Sequence, residues 1–190
     1  MRNVRHGVKG VLVGLAVLAA AFAVSPASAE ERGCRGALGA VTVDNLRVPQ
    51  NATCRLNRTV VKGTIKVERN ATLVAQRIRV VGRIQAENAR NVVVTKASRV
   101  GGNVQVKQGG AATVTSSRIN GDIQYDANRR SLKVNRNRVG GSIQVIGNAG
   151  KAEIFRNVVK GNLQCKENRP APTGGSNVVG GTKEDQCARF

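Results

Sequence analysis

Residues 139–145 read VGGSIQV, and the phrase returns as VKGTIKV at 61–67, VVGRIQA at 80–86, VGGNVQV at 100–106, INGDIQY at 119–125 and VKGNLQC at 159–165. Coils therefore start at Val61, Val80, Val100, Ile119, Val139 and Val159, with a truncated echo, VGG, at Val179. The steps are 19 or 20 residues. An earlier coil at 42–60 follows from matching Leu46 to Ile65, Val48 to Val67, and NAT at 51–53 to NAT at 70–72. Inside the phrase apolar and polar residues alternate, which is the period of a strand. Val139, Ile143 and Val145 share one face, and Gly140, Ser142 and Gln144 share the other. Gly141 is expected at an inward position without room for a side chain, or at a bend.

A second short apolar segment follows in each coil, such as TLVA at 72–75 and VVVT at 92–95, with Gly, Asn, Ser and Arg between segments. That intervening composition belongs to turns. A unit this short cannot bury its own apolar face and must stack on copies of itself. The expected fold is all-β, a single-domain parallel β-helix (β-solenoid) of about seven coils, with right-handed winding. Leucine-rich repeats need a leucine skeleton that is absent, and hexapeptide helices need a strict multiple of six. Calcium-binding nonapeptides need a recurrent aspartate, and only Asp122 comes near.

Outside the repeat, the N-terminus carries Arg2, Arg5 and Lys9, an apolar run from Val11 to Val24, and an A-x-A site at Ala27–Ala29. This is the pattern of a signal peptide, 1–29; the run is short of the roughly 20 apolar residues of a membrane span. The domain expected after cleavage is 30–190, with an N-terminal cap at 30–41, coils over 42–178 and a C-terminal cap at 179–190. Residues 30–190 carry 28 Lys and Arg against 11 Asp and Glu, a net charge of +17. Aromatics are 2% of the chain, so the core has to be aliphatic. Val and Ile dominate it, and β-branched residues favour strands.

The four cysteines fall in two pairs, Cys34 and Cys54 near one end and Cys165 and Cys187 near the other. An even count in a small exported chain suggests disulfides. With coils stacked about 4.8 Å apart, Cys54 and Cys165 stand about 29 Å from each other. A bridge needs Cα atoms within about 7 Å. Only Cys34–Cys54 and Cys165–Cys187 remain, each worth about 3 kcal/mol in the chain-entropy picture. Both would pin the open ends of the stack, where unpaired strand edges are otherwise exposed. The only histidine, His6, lies in the leader, and no C-x-x-C occurs, so neither a zinc site nor any cofactor is expected.

The segments GAVTVDNLRVPQNATCRL, 39–56, and GNLQCKENRPAPTGGSNVVGGTKEDQC, 161–187, resemble a group of secreted proteins of actinomycete bacteria. The resemblance covers essentially the whole chain after the leader. It implies export and a β-solenoid, and it implies no activity. Likeness to bactofilins, polymer-forming β-helices, is architectural only; capped ends argue for a monomer.

Stacking turns each repeat position into a column. Gln85, Gln105, Gln124, Gln144 and Gln164 form one, begun by Lys66, and are expected either to bond to one another as an amide ladder or to face a glycan. Arg79, Arg99, Arg118 and Arg138 form another, each just before a phrase. It is expected to fan into water or to hold a polyanion, an anionic cell-wall polymer or acidic polysaccharide. Nucleic acid is disfavoured because stacking aromatics are scarce. A third column, Glu68, Glu87, Lys107, Asp126, Ile146 and Lys166, suggests ion pairs between coils. The threonines Thr64, Thr95, Thr113 and Thr115 form no complete row, which disfavours an ice-binding face.

Glycosidases need two carboxylates roughly 5–10 Å apart. Asp122 and Asp126 are about 13 Å apart on a straight strand. Coils this short leave no loops for a cleft, where such sites usually sit. The expectation is a secreted, extracellular or wall-associated, non-catalytic structural or binding protein; the alternative is a polysaccharide-active, lyase-like β-helix enzyme.

Overall fold

The computed structural model describes residues 30–190. The expected signal peptide, 1–29, lies outside the described residues. Each turn of chain crosses three parallel sheets in order. The first sheet has nine strands and includes Asn45–Val48, Ile84–Glu87 and Leu163–Lys166. The second has eight, among them Thr72–Gln76 and Leu132–Asn135. The third also has eight, all two residues long, such as Arg79–Val80 and Arg118–Ile119. The result is a β-solenoid of about eight turns, roughly 38 Å long at the spacing of neighbouring strands.

The phrase occupies the third sheet and the first. Its inward positions stack like on like: Leu46, Ile65, Ile84, Val104, Ile123, Ile143 and Leu163 pair in register along the axis. All of them are fully buried. Each such side chain contributes about 1.5–3 kcal/mol by leaving water, and repetition replaces the large rings this chain lacks. The only tyrosine, Tyr125, is buried in the same sheet.

Two corners in each turn are made by a residue with positive φ followed by a buried one. Between the first and second sheets these are pairs such as Ala127–Asn128 and Gly147–Asn148; between the second and third, Arg136–Asn137 and Arg156–Asn157. In the C-terminal half the buried members build two asparagine ladders, Asn128–Asn148–Asn168 and Asn137–Asn157–Asn177. From the second member of each ladder on, the amide oxygen accepts the backbone N–H and the side-chain amide of the preceding member. Each amide nitrogen also donates to a core-facing carbonyl, as Asn148 does to Tyr125 at 3.0 Å. Among the described residues no buried side-chain polar atom lacks a partner.

The two disulfides are those the stack allows, Cys34–Cys54 and Cys165–Cys187, with Cα separations of 5.5 and 5.2 Å. Two sequence expectations differ from the structure. Seven coils become about eight turns, because Glu31–Gly33 and Gly36–Leu38 in the expected N-terminal cap pair as strands with the next turn. Lys183–Asp185, in the expected C-terminal cap, pairs with the last full strand of the first sheet. Gly141 takes the second of its two expected places, a bend, and a side chain would not fit there. It sits at the corner leading into the first sheet, where a Cβ would come 2.1 Å from Asp122 Oδ1. That oxygen accepts the Ser142 N–H at 2.8 Å, so the glycine makes room for a side chain of the turn below.

Candidate functional site

Strand pairing places the four arginines side by side: Arg79 against Arg99, Arg99 against Arg118, and Arg118 against Arg138. Alternation along the third sheet sends Val80, Val100, Ile119 and Val139 into the core and every arginine outward. Successive guanidinium stems therefore start about 4.8 Å apart. None of the four forms an ion pair or a side-chain hydrogen bond among the described residues. Val158 and Val178, both exposed, continue the row toward the C-terminal end.

The corner before this sheet adds to the same charge. Its positive-φ position holds Arg58, Arg77, Lys96, Arg136 and Arg156 in five turns, with Ser116 and Ser176 in two others. These side chains are exposed and stand two residues before the outward position of the column, except Lys96, which stands three before Arg99 and is followed by a second positive-φ residue, Ala97. Two shallow hollows flank the arginines. One, of about 390 Å³, is lined by Arg99, Arg118, Arg136 and Arg138. The other, of about 420 Å³, is lined by Arg118, Arg138 and Lys160. The outcome is a straight cationic track rather than an enclosed pocket.

The glutamines also stack in register, from Gln85 to Gln164. Only the middle of the row is joined: Gln105 donates to Gln124 at 2.8 Å, and Gln124 donates to Gln144 at 3.2 Å. Gln164 turns instead to Asp185 at 3.5 Å. Arg47 and Lys66 extend the column at one end and Glu184 at the other.

Among the described residues, the acidic column makes an ion pair between turns only at its N-terminal end. Glu87, Lys107 and Asp126 are direct neighbours, yet their charged ends stay apart in water, where an exposed pair gains little. Glu68 pairs with Arg47 at 3.5 Å, and Arg47 also meets Glu31 at 3.2 Å. Asp122, the best-placed carboxylate in the sequence, is engaged by the Ser142 N–H. No three potential metal ligands come together among the described residues.

A second basic cluster has no period of its own in the sequence. Arg69, Arg90, Arg129 and Arg130 meet at the edge between the first and second sheets, around a hollow of about 690 Å³ whose floor is Gly109 and Gly110. The signal that could have found it is the glycine pair, which falls where adjacent turns carry arginine. Among the described residues no helix is long and apolar enough to cross a membrane, and the two disulfides fit an oxidising environment. No protein-family model matches the chain, and neither a curated protein nor a solved structure does.

Proposed function

We propose that this protein is an exported, non-catalytic binding module of the cell envelope or extracellular space, whose basic face holds an anionic wall polymer or acidic polysaccharide. The observation that carries the proposal is the in-register column Arg79, Arg99, Arg118 and Arg138, exposed and without carboxylate partners. Like charges on directly opposite strand positions destabilise a sheet. A polyanion lying along the column relieves that repulsion, and its repeated charges meet one cation per turn. The corner residues Arg77, Arg136 and Arg156 widen the track so that a flexible polymer need not match the turn spacing.

Polymer binding of this kind is electrostatic and screened by salt. The test is retention of the folded protein on isolated cell walls and on immobilised acidic polysaccharide over a salt gradient, for the wild type and for the Arg79→Gln, Arg99→Gln, Arg118→Gln, Arg138→Gln variant. Four exposed contacts at about 0.5 kcal/mol each predict about thirtyfold weaker binding. Equal retention of both proteins, or retention indifferent to salt, overturns the proposal. Lyase chemistry has less support, since Asp122 is tied to the backbone of the next turn. Unsaturated products after incubation with acidic polysaccharide would reverse that ranking.

A further inference from the structure

We infer that the edge between the first and second sheets carries a second, separate oxyanion-binding site, built by Arg90 and Arg129 across Gly110 and reinforced by Arg69 and Arg130. Backbone bonds fix the order along the axis: Gly110 N–H donates to Ala89 O at 2.8 Å, and Arg129 N–H donates to Gly109 O at 3.0 Å. Arg90, Gly110 and Arg129 thus occupy equivalent places in three successive turns. The two arginines stand about 10 Å apart, with a residue that has no side chain between them.

The gap is enforced by the backbone. A Cβ on Gly110 would come 2.3 Å from Arg90 O, and one on Gly109 would come 2.8 Å from Ala89 O. Stacking at this edge is therefore too close for any side chain in that turn. The arginine stems above and below border the opening, and Arg130 Cδ lies 3.6 Å from the position a Gly110 Cβ would take. Arg90 is already oriented, because its Nε donates to Asn70 Oδ1 at 3.0 Å. No carboxylate lines the hollow, and none of its four arginines forms an ion pair among the described residues. Guanidinium forks on two sides of an open floor suit the oxygens of a phosphate, sulfate or carboxylate group.

Position gives this site its consequence. Each turn visits the first, second and third sheets in order, so the edge between the first two points away from the third. The Arg79–Arg138 column and the edge site face opposite directions, and one rod engages two anionic chains at once. This second step rests on the polymer-binding role proposed for the column; the edge site itself does not.

Long-chain polyphosphate, dextran sulfate and polygalacturonate serve as the phosphate, sulfate and carboxylate probes. Binding is measured by titration, and cross-linking by light scattering with polymer in excess. Three proteins are compared: the wild type, the column variant above, and an edge variant, Arg69→Gln, Arg90→Gln, Arg129→Gln, Arg130→Gln. Thermal melts establish that all three are folded. The expected result is that the wild type binds and cross-links at least one polymer, while each variant still binds it and no longer cross-links it. An edge variant that binds and cross-links like the wild type overturns the edge site and leaves the column untouched. Loss of all binding in the edge variant, with the column variant unaffected, keeps the edge site and overturns the column. A wild type that binds none of the three polymers overturns both.

Discussion

Asn148 accepts two hydrogen bonds from Asn128 through one oxygen, from the backbone N–H at 2.8 Å and from the side-chain amide at 3.0 Å. The pair is buried, and the same arrangement repeats one turn later between Asn148 and Asn168. Asn148→Ala would leave two donors on Asn128 and the carbonyl of Tyr125 short of partners. At about 1–3 kcal/mol for a buried unsatisfied group, the expected loss is about 3 kcal/mol in denaturant unfolding. Asn120→Ala, on an exposed corner with no side-chain hydrogen bond, should stay within about 0.5 kcal/mol of the wild type.

Gly141 and Asp122 should behave as one unit. A methyl group at 141 collides with the Asp122 carboxylate 2.1 Å away, so Gly141→Ala is expected to cost about 1–3 kcal/mol. Asp122→Ala loses the bond to Ser142 N–H but also removes the obstruction. The double variant should therefore be less destabilised than the sum of the singles, with a coupling of about 1 kcal/mol. Additive effects in the cycle would contradict the corner geometry.

The arginine column makes an opposite kind of prediction. Arg118 has a like charge on both strand neighbours, so Arg118→Gln should be neutral or stabilising by a few tenths of a kcal/mol, roughly the scale of a cross-strand pair. Added salt should raise the melting temperature of the wild type more than that of the four-arginine variant. A marked loss of stability in Arg118→Gln would mean that the guanidinium supports the fold.

Burial raises the pKa of the Tyr125 phenol well above its ordinary value. The folded protein then favours the neutral phenol. Stability is unaffected below the unfolded value of about 10 and falls as pH rises past it. Since the chain has one tyrosine, ultraviolet titration reads it alone. Tyrosinate should appear only together with unfolding, and a normal titration curve in the folded state would show that the ring is accessible.

The columns were legible in the sequence because register is set by period. Arg79 and Arg99 are twenty residues apart, and in a stack that spacing becomes direct adjacency. The disulfides followed from the same reasoning. The asparagine ladders have an equally clear period, Asn128, Asn148 and Asn168, but asparagine in a polar stretch reads as an exposed turn. Only the closure of the corner, with a positive-φ residue turning the next side chain inward, buries it. The first strands, ERG at 31–33 and GAL at 36–38, carry no phrase at all. They form because the next turn offers an open edge. The edge cluster around Gly110 escaped for a related reason: its arginines come from turns two apart, at positions that the 19/20 wobble shifts relative to one another.

The buried amides are not evenly shared. At the corresponding corners of the earlier turns stand Ala52, Ala71 and Ala89 on one side and Thr59, Ile78 and Ser98 on the other. A solenoid behaves as a chain of nearest neighbours, so this difference gives the rod a polarity of cohesion. It should open like a fastener from its N-terminal side, restrained there mainly by the Cys34–Cys54 bridge. Amide exchange should then be fastest in the early turns once that bridge is reduced, and slowest where the asparagines run.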